Sequence, residues 1–197
     1  MKIGVLALQG DFAEHAAVLR RVGVDAVEVR LPHQLDELSG LIIPGGESTT
    51  IGKLAVLYHL IEPLRAFAAA RPIWGTCAGA IFLSKDARRE QPLLAVMDIT
   101  VERNAFGRQV DSFEIDLTVP ALVDSAQPFH AVFIRAPLIE RVGPGVQVLA
   151  RLPDPAGQPD SGRIVAAQQG RLLATAFHPE LTGDDRFHRL FVSLAAA

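Results

Sequence analysis

Cysteine is almost absent from this sequence, because Cys77 is the only one among 197 residues. A single cysteine cannot close an internal disulfide, so a secreted scaffold held together by disulfides is excluded. Trp and Tyr also occur once each, but 10 Phe residues and a hydrophobic fraction of 49% are enough for a packed interior. The length suits one domain, and we expect residues 1–197 to form it.

Long apolar runs and an excess of one charge are also missing. No stretch approaches the roughly 18 apolar residues that a transmembrane helix needs. The N-terminal apolar run is interrupted at Gln9, Gly10 and Asp11, too early for a signal peptide. A net charge of -3 without basic clustering argues against a nucleic-acid surface. We therefore expect a cytoplasmic protein that binds neither membranes nor nucleic acid.

The apolar segments of the first half predict an α/β fold. Residues 3–8 are continuously apolar, as in a strand covered on both faces, and a helical pattern follows, with Asp11 as its expected N-cap. Further strands are predicted at 24–30, 41–44 and 72–75, and helices at 12–23, 48–67 (interrupted at Pro63) and 78–85. This rhythm is typical of a mostly parallel sheet flanked by helices, a three-layer sandwich.

The second half predicts additional, antiparallel strands. They are expected at 96–101, 113–119, 131–134, 146–152, 163–168 and 171–177, before a last helix at 184–194. The segment 153–162 (PDPAGQPDSG) is rich in Pro and Gly, so a turn or hairpin tip is predicted there.

Cys77 lies in the sequence Gly-Thr-Cys-Ala-Gly, after a predicted strand and before a helix. This is the spacing of the nucleophile elbow G-x-S-x-G, with cysteine in place of serine. Such a sharp turn requires small neighbours, here Gly75 and Gly79, and it exposes the sulfur beside a helix N-terminus, where a thiolate is stabilised. The alternative interpretation is a buried cysteine that acts as a small hydrophobic residue.

His178 is the histidine best placed to act as a base for such a thiol. It directly follows the apolar run LLATAF, at the end of a predicted strand, where open α/β sheets place their chemistry. Glu180, two residues later, points to the same side in extended geometry and can orient the imidazole. The alternative is a loop pair without a function.

The sequence PGGEST follows a short strand and opens a helix. Gly45 and Gly46 allow a close approach of the backbone to a ligand, and amides at a helix start bind anionic or carbonyl oxygens. The phosphate-binding pattern GxxxxGK[ST] and the dinucleotide pattern GxGxxG are both absent. A simple turn fits the segment equally well.

Taken in order, PGGES, GTCAG and FHPE resemble the class I (triad) glutamine amidotransferase family. The segments LALQGDFAEH, ERNAFGRQVDSFE (102–114), FIRAP (133–137) and FHPEL are similar to the glutaminase subunits of pyridoxal 5′-phosphate synthase. The resemblance implies that Cys77 attacks the side-chain amide of glutamine to form a thioester. It also implies that His178 is the general base and acid and that Glu180 orients it.

The same resemblance implies the remaining site residues. The amides of Gly46 and Ala78 would form the oxyanion hole. The L-glutamine-binding positions would be Gly46, Glu47, Ser48, Arg103, Ile134 and Arg135. An arginine suits the α-carboxylate of glutamine, because a guanidinium pairs with a carboxylate in fork geometry. A structural salt bridge is the alternative for Arg103 and Arg135. No metal and no cofactor are expected.

The resemblance further implies a partner, the synthase subunit, a (β/α)₈ barrel in a multi-subunit hetero-oligomer. It would use the ammonia, a pentose phosphate and a triose phosphate to build the cofactor. Gln9, Gly10 and Asp11 follow the first strand and are expected beside the glutaminase pocket.

Three rival functions are consistent with parts of the sequence. One is a glutaminase that serves another biosynthetic partner, such as one in the histidine or purine pathway. A second is a catalytically silent regulatory module on the same fold, and a third is a redox-sensing cysteine. The segments ERNAFGRQVDSFE and FIRAP argue against the first. The complete Cys77, His178 and Glu180 set argues against the other two.

Overall fold

The computed structural model describes residues 1–103, 112–154 and 161–197. In the first half the elements are β1 (Lys2–Leu6), α1 (Phe12–Arg21), β2 (Asp25–Val29), β3 (Gly40–Ile43), α2 (Ser48–Leu57), α3 (Ile61–Ala70), β4 (Ile73–Thr76), α4 (Ala78–Leu83) and β5 (Ser84–Asp86). In the second half they are β6 (Met97–Glu102), β7 (Ser112–Leu117), β8 (Phe129–Ile134), β9 (Leu138–Val142), β10 (Gln147–Arg151), β11 (Ile164–Gln169), β12 (Leu172–Thr175) and α5 (Arg186–Ala196).

The described strands form one large sheet and a small second one. The large sheet has the order β2-β1-β3-β4-β12-β11-β9-β6-β5, with β10 also paired to β11, and β7 pairs only with β8. Strands β2, β1, β3, β4 and β12 are parallel neighbours, whereas β11 pairs antiparallel with β12, β10 and β9. The carboxyl ends of β1, β3, β4 and β12 therefore meet at one edge of the sheet.

Successive residues of the central strands contribute to opposite cores. Leu41 and Ile43 face one hydrophobic cluster, which α2, α3 and α4 cover, while Ile42 faces a second cluster covered by α1 and α5. Trp74 belongs to the second cluster and is fully buried. Because both faces are covered, the strands must be apolar throughout, and the predicted three-layer α/β fold is confirmed.

Two helix predictions were wrong in detail. The helix predicted over 48–67 is two helices, and the break lies at Tyr58–Leu60, where His59 has a φ of 56°. Pro63 instead lies in the first turn of α3, where its missing N–H removes no helical hydrogen bond. The helix predicted to residue 85 ends at Leu83, because Ser84 begins β5 and pairs with β6.

Other strand predictions agree with the structure within a few residues, but β5 and β9 were not predicted. The sequence of β9, LIERV, is short and follows a proline, yet it pairs with both β6 and β11. Residues 155–160 of the predicted hairpin tip and 104–111 of the motif 102–114 lie outside the described residues. Within the described ranges, no helix has the length and apolar character that crossing a membrane requires.

Candidate active site

Cys77 occupies a sharp turn between β4 and α4, as the elbow spacing predicts. Its backbone has φ 46° and ψ -104°, and a positive φ is uncommon for a residue with a side chain. The Cys77 backbone N–H donates to the Thr175 carbonyl of β12 at 2.8 Å, which holds the turn against the neighbouring strand.

The two glycines of the elbow are sterically required. A methyl group added at Gly79 would lie 2.0 Å from the Ile43 carbonyl oxygen, and one at Gly75 would lie 2.4 Å from the Gly79 carbonyl oxygen. Both contacts involve backbone atoms, which cannot move aside as a side chain can. The prediction that large residues would clash in this turn is confirmed.

The ends of β4 and β12 bring the predicted triad residues together. The side chain of Cys77 acts directly on His178 and helps to raise its pKa, so the thiol and the imidazole are neighbours in the site. On its other side, His178 Nδ1 lies 2.7 Å from Glu180 Oε1, and both residues are buried. The His178 backbone N–H donates to the Val132 carbonyl of β8 at 2.8 Å, which fixes the segment that carries the imidazole.

The electrostatics of the site favour a cationic His178. Burial lowers the pKa of His178, but its hydrogen bonds outweigh burial and raise the pKa to about 12. The partners that raise it are Asp11, Cys77 and Glu180. Burial raises the pKa of Glu180, while the hydrogen bond from His178 acts in the opposite direction. An imidazolium beside a thiol stabilises the thiolate, which is the nucleophilic form of cysteine.

Asp11 lies beside the pocket as expected, but its direct contact with His178 was not predicted. Asp11 is the N-cap residue of α1 by position, as predicted, but its side chain makes no capping hydrogen bond. The carboxylate instead lies 3.4 Å from His178 Nδ1, where it faces the imidazolium charge. The position of Asp11 just after β1, near the sheet edge that carries Cys77, was the available signal.

The PGGE segment packs directly against the imidazole. A methyl group on Gly45 would lie 2.4 Å from His178 Cε1, and Gly46 has a φ of 149°, so neither position has room or conformation for a side chain. The Glu47 backbone N–H donates to Gln9 Oε1 at 2.6 Å. The expectation that Gln9 to Asp11 lie beside the pocket is therefore confirmed.

Glu47 and Arg103 form a network at the start of α2. Glu47 caps the helix, accepting from the Thr50 backbone N–H at 2.6 Å, and Arg103 Nη2 donates to Glu47 Oε1 at 2.9 Å. Burial raises the pKa of Glu47, but hydrogen bonds, first from Thr50, lower it to about 2. Gln91, which the sequence reasoning missed, accepts from Arg103 Nη1 at 3.1 Å and lies 3.3 Å from the Ser48 hydroxyl.

Ile134 and Arg135 lie at the end of β8, just beyond the strand residue that accepts the His178 backbone N–H. Arg135 has a φ of 43° and is exposed. Ala78 follows Cys77 as the first residue of α4 and is buried. The fold thus brings Cys77, His178, Glu180 and the PGGE segment to this sheet edge, where Arg103 joins Glu47. Ile134 and Arg135 lie at the end of the strand that accepts the His178 backbone N–H.

Comparison with known proteins identifies the protein family of this chain. The SNO glutamine amidotransferase family model matches residues 5–196, so the chain belongs to this family. The sequence is 61% identical to a protein of Herpetosiphon aurantiacus named pyridoxal 5′-phosphate synthase subunit PdxT, over 98% of this chain and 100% of that protein. A protein of the same name from Chloroflexus aurantiacus is 55% identical, again over 98% and 100%.

Solved structures agree with the fold. A crystal structure of a glutamine amidotransferase superimposes with a TM-score of 0.89 at 52% identity and covers 99% of both chains. PurLQS from Thermotoga maritima matches at 16% identity with a TM-score of 0.68, over 99% of this chain and 97% of that one, which indicates a shared fold. The predicted resemblance is confirmed, and the chain is a glutamine amidotransferase.

Proposed function

We propose that this chain, as a single domain of 197 residues, is the glutaminase subunit of a pyridoxal 5′-phosphate synthase. It hydrolyses L-glutamine to L-glutamate and ammonia. The observation that carries this proposal is the convergence of Cys77, His178 and Glu180 at the strand-to-helix turn, where His178 Nδ1 lies 2.7 Å from Glu180 Oε1 and Cys77 acts on the His178 imidazole. The shared name of the full-length relatives supports the particular synthase.

The first half of the reaction forms a thioester. The Cys77 thiolate attacks the side-chain amide carbon of glutamine, and the backbone amides of Gly46 and Ala78 receive the oxyanion. His178, held by Glu180 through Nδ1, donates the proton of its other ring nitrogen to the departing nitrogen. The carbon–nitrogen bond breaks, ammonia leaves, and a glutamyl thioester remains on Cys77.

The second half returns the enzyme to its starting state. Neutral His178 takes a proton from a water molecule, which attacks the thioester carbonyl at the same oxyanion site. The carbon–sulfur bond breaks, glutamate is released, and Cys77 leaves as a thiolate beside the imidazolium. The high pKa of His178 is consistent with this ion pair as the resting state.

Substrate recognition is assigned to the network around the start of α2. Arg103 is held in place by Glu47 and Gln91 and supplies a guanidinium for the α-carboxylate of glutamine. Gly46, Glu47 and Ser48 line the same side. Ile134 and Arg135, at the end of β8, complete the glutamine site.

The proposed partner is the synthase subunit, a (β/α)₈ barrel in a multi-subunit assembly. It joins the ammonia with a pentose phosphate and a triose phosphate. Free ammonia is protonated near neutral pH and ammonium is not nucleophilic, so a closed path between the subunits suits the chemistry. A silent regulatory module or a redox sensor would leave the convergence of His178, Glu180 and Asp11 on Cys77 without a purpose.

The decisive experiment measures glutamate release with and without the synthase subunit. Wild type should be stimulated by the partner, and Cys77→Ala should fall by at least about 10⁴-fold, because the nucleophile is lost. Complex formation by size-exclusion chromatography and an unchanged circular dichroism spectrum serve as controls for folding. Stimulated turnover that survives in Cys77→Ala would refute the mechanism, and a lack of stimulation would refute the partnership.

A further inference from the structure

A pair of fully buried histidines lies behind the triad. His15 belongs to α1 and His188 to α5, and His15 Nδ1 lies 3.0 Å from His188 Nε2. The other ring nitrogen of His15, Nε2, lies 3.2 Å from Thr76 Oγ1 and 3.2 Å from Glu180 Oε2. This pair therefore contacts the carboxylate oxygen of Glu180 that does not bind His178.

Both buried histidines are neutral. Burial is the main cause that holds the pKa of His15 well below its usual range, and electrostatic interactions with His188 and His178 act in the same direction. Burial likewise lowers the pKa of His188 to about 3, aided by Arg21 and opposed by Asp185. Each neutral imidazole carries one N–H, so the position of each proton matters.

The hydrogen-bond partners select one arrangement of the two protons. Among the described residues, His188 Nδ1 has no hydrogen-bond partner. A buried N–H at that atom would be an unsatisfied donor, which is more costly than leaving a lone pair unused. His188 therefore carries its proton on Nε2 and donates to His15 Nδ1, which leaves the His15 proton on Nε2, at Thr76 and Glu180.

Glu180 Oε2, like His188 Nδ1, lacks a hydrogen-bond partner among the described residues. It is buried, and no residue in the described part of the chain gives it a hydrogen bond of good geometry. The N–H of His15 is aimed at Thr76 Oγ1, while His15 Nε2 itself lies 3.2 Å from Glu180 Oε2, close enough for the N–H dipole to act on this oxygen. A buried carboxylate oxygen needs such a dipole to stay ionised.

We infer that His15 is a positioning residue of the glutaminase reaction, whose Nε2–H holds Glu180 so that the other carboxylate oxygen stays on His178. His188 acts one step further away by fixing the tautomer of His15. The inference rests on the proposed function, because it gives the network its role. It extends the triad into a continuous chain of contacts from α5 to Cys77.

The inference predicts a change in the ionisation of the site. Without the His15 N–H, Glu180 binds a proton at higher pH and stabilises the His178 imidazolium less, so the Cys77 thiolate also forms at higher pH. The titratable groups that face His15 are Glu180, His178 and His188, and Arg21 and Asp185 act on the last of these. The rate of Cys77 alkylation rises with pH at the acid side of its pH profile, and we call this rise the acid limb. Removing His15 should therefore shift the acid limb to higher pH.

The test compares His15→Leu, which removes the donor, with His15→Gln, whose amide N–H₂ can reach the Nε2 position. The rate of Cys77 alkylation by iodoacetamide is measured against pH, together with kcat and KM in the complex with the synthase subunit. For His15→Leu we expect the acid limb to rise by about one pH unit and kcat to fall about 10- to 100-fold, with KM within about twofold. His15→Gln should recover most of both.

Phe187→Leu is the matched control, since Phe187 packs on Trp74 in the same buried cluster. It should leave the acid limb in place. A limb in His15→Leu that does not move relative to this control would overturn the inference, as would His15→Gln impaired as strongly as His15→Leu. Alkylation needs no glutamine, so this result stays distinct from a failure of the proposed function.

A second measurement does not depend on any substitution. Nitrogen-15 NMR of the histidine rings in the wild-type protein reports the tautomer of each buried imidazole. We expect both His15 and His188 as neutral Nε2–H tautomers across neutral pH. An Nδ1–H tautomer at His15 would overturn the inference even if His15→Leu failed to fold.

Discussion

Replacing Gly79 by alanine should damage both the stability and the activity of this enzyme. The added methyl group would lie 2.0 Å from the Ile43 carbonyl oxygen, whereas real contacts of this kind are essentially never under 3.0 Å. Strand β3 and helix α4 must therefore separate by roughly 1 Å in a close-packed core, which costs about 3 kcal/mol. For a chain of this size, that corresponds to a fall in Tm of about 6–12 °C.

The same separation moves the segment after Ile43, which carries the proposed oxyanion donor Gly46, away from Cys77. We expect partner-stimulated glutaminase activity to fall by about 10²-fold, because catalytic geometry tolerates little displacement. Gly183→Ala is the control, since a methyl group there meets nothing within 4 Å. Thermal unfolding and glutamate release measure the two effects. A Gly79→Ala protein with the Tm and activity of Gly183→Ala would refute the steric reasoning.

Two further predictions concern the start of α2. Because hydrogen bonds lower the pKa of Glu47 to about 2 in the folded state, its stabilising effect is present above about pH 4.5 and is lost as the pH falls through about 2. Denaturant unfolding should then show wild type more stable than Glu47→Gln at pH 6, with the difference shrinking toward pH 2, and a constant difference would contradict this. A lysine at position 103 cannot make the two-pronged contact of a guanidinium with the α-carboxylate of glutamine. Arg103→Lys should therefore raise KM for glutamine about tenfold with little change in kcat. The control Arg189→Lys, at an exposed position, should leave KM unchanged.

The parts of the site that could be predicted are those with a local sequence signal. Gly75, Cys77 and Gly79 mark a turn of five residues, within which a methyl group on Gly75 would lie 2.4 Å from the Gly79 carbonyl oxygen. The continuous apolar strands likewise report that both sheet faces are covered. These features follow from neighbours in the chain, so one sequence is enough to see them.

The remaining features depend on contacts between distant residues. His15 lies at a buried position of α1 that any apolar residue could fill, and its partner is 173 positions away. Asp11 occupies a normal N-cap position, but the charge on His178 attracts its carboxylate. The helix breaks at His59, which has a φ of 56°, and not at Pro63, which lies in the first turn of α3. Such tertiary effects leave no pattern in a single sequence.

The hydrogen bond from the Cys77 N–H to β12 makes the reactivity of Cys77 depend on a part of the chain that is synthesised later. Cys77 is synthesised first, whereas Thr175, which holds its turn, and His178, which activates it, come about a hundred residues later. In the finished sheet β12 lies between β4 and β11. A chain that lacks β12 and the residues after it therefore lacks the groups that activate Cys77, so its thiol is not activated.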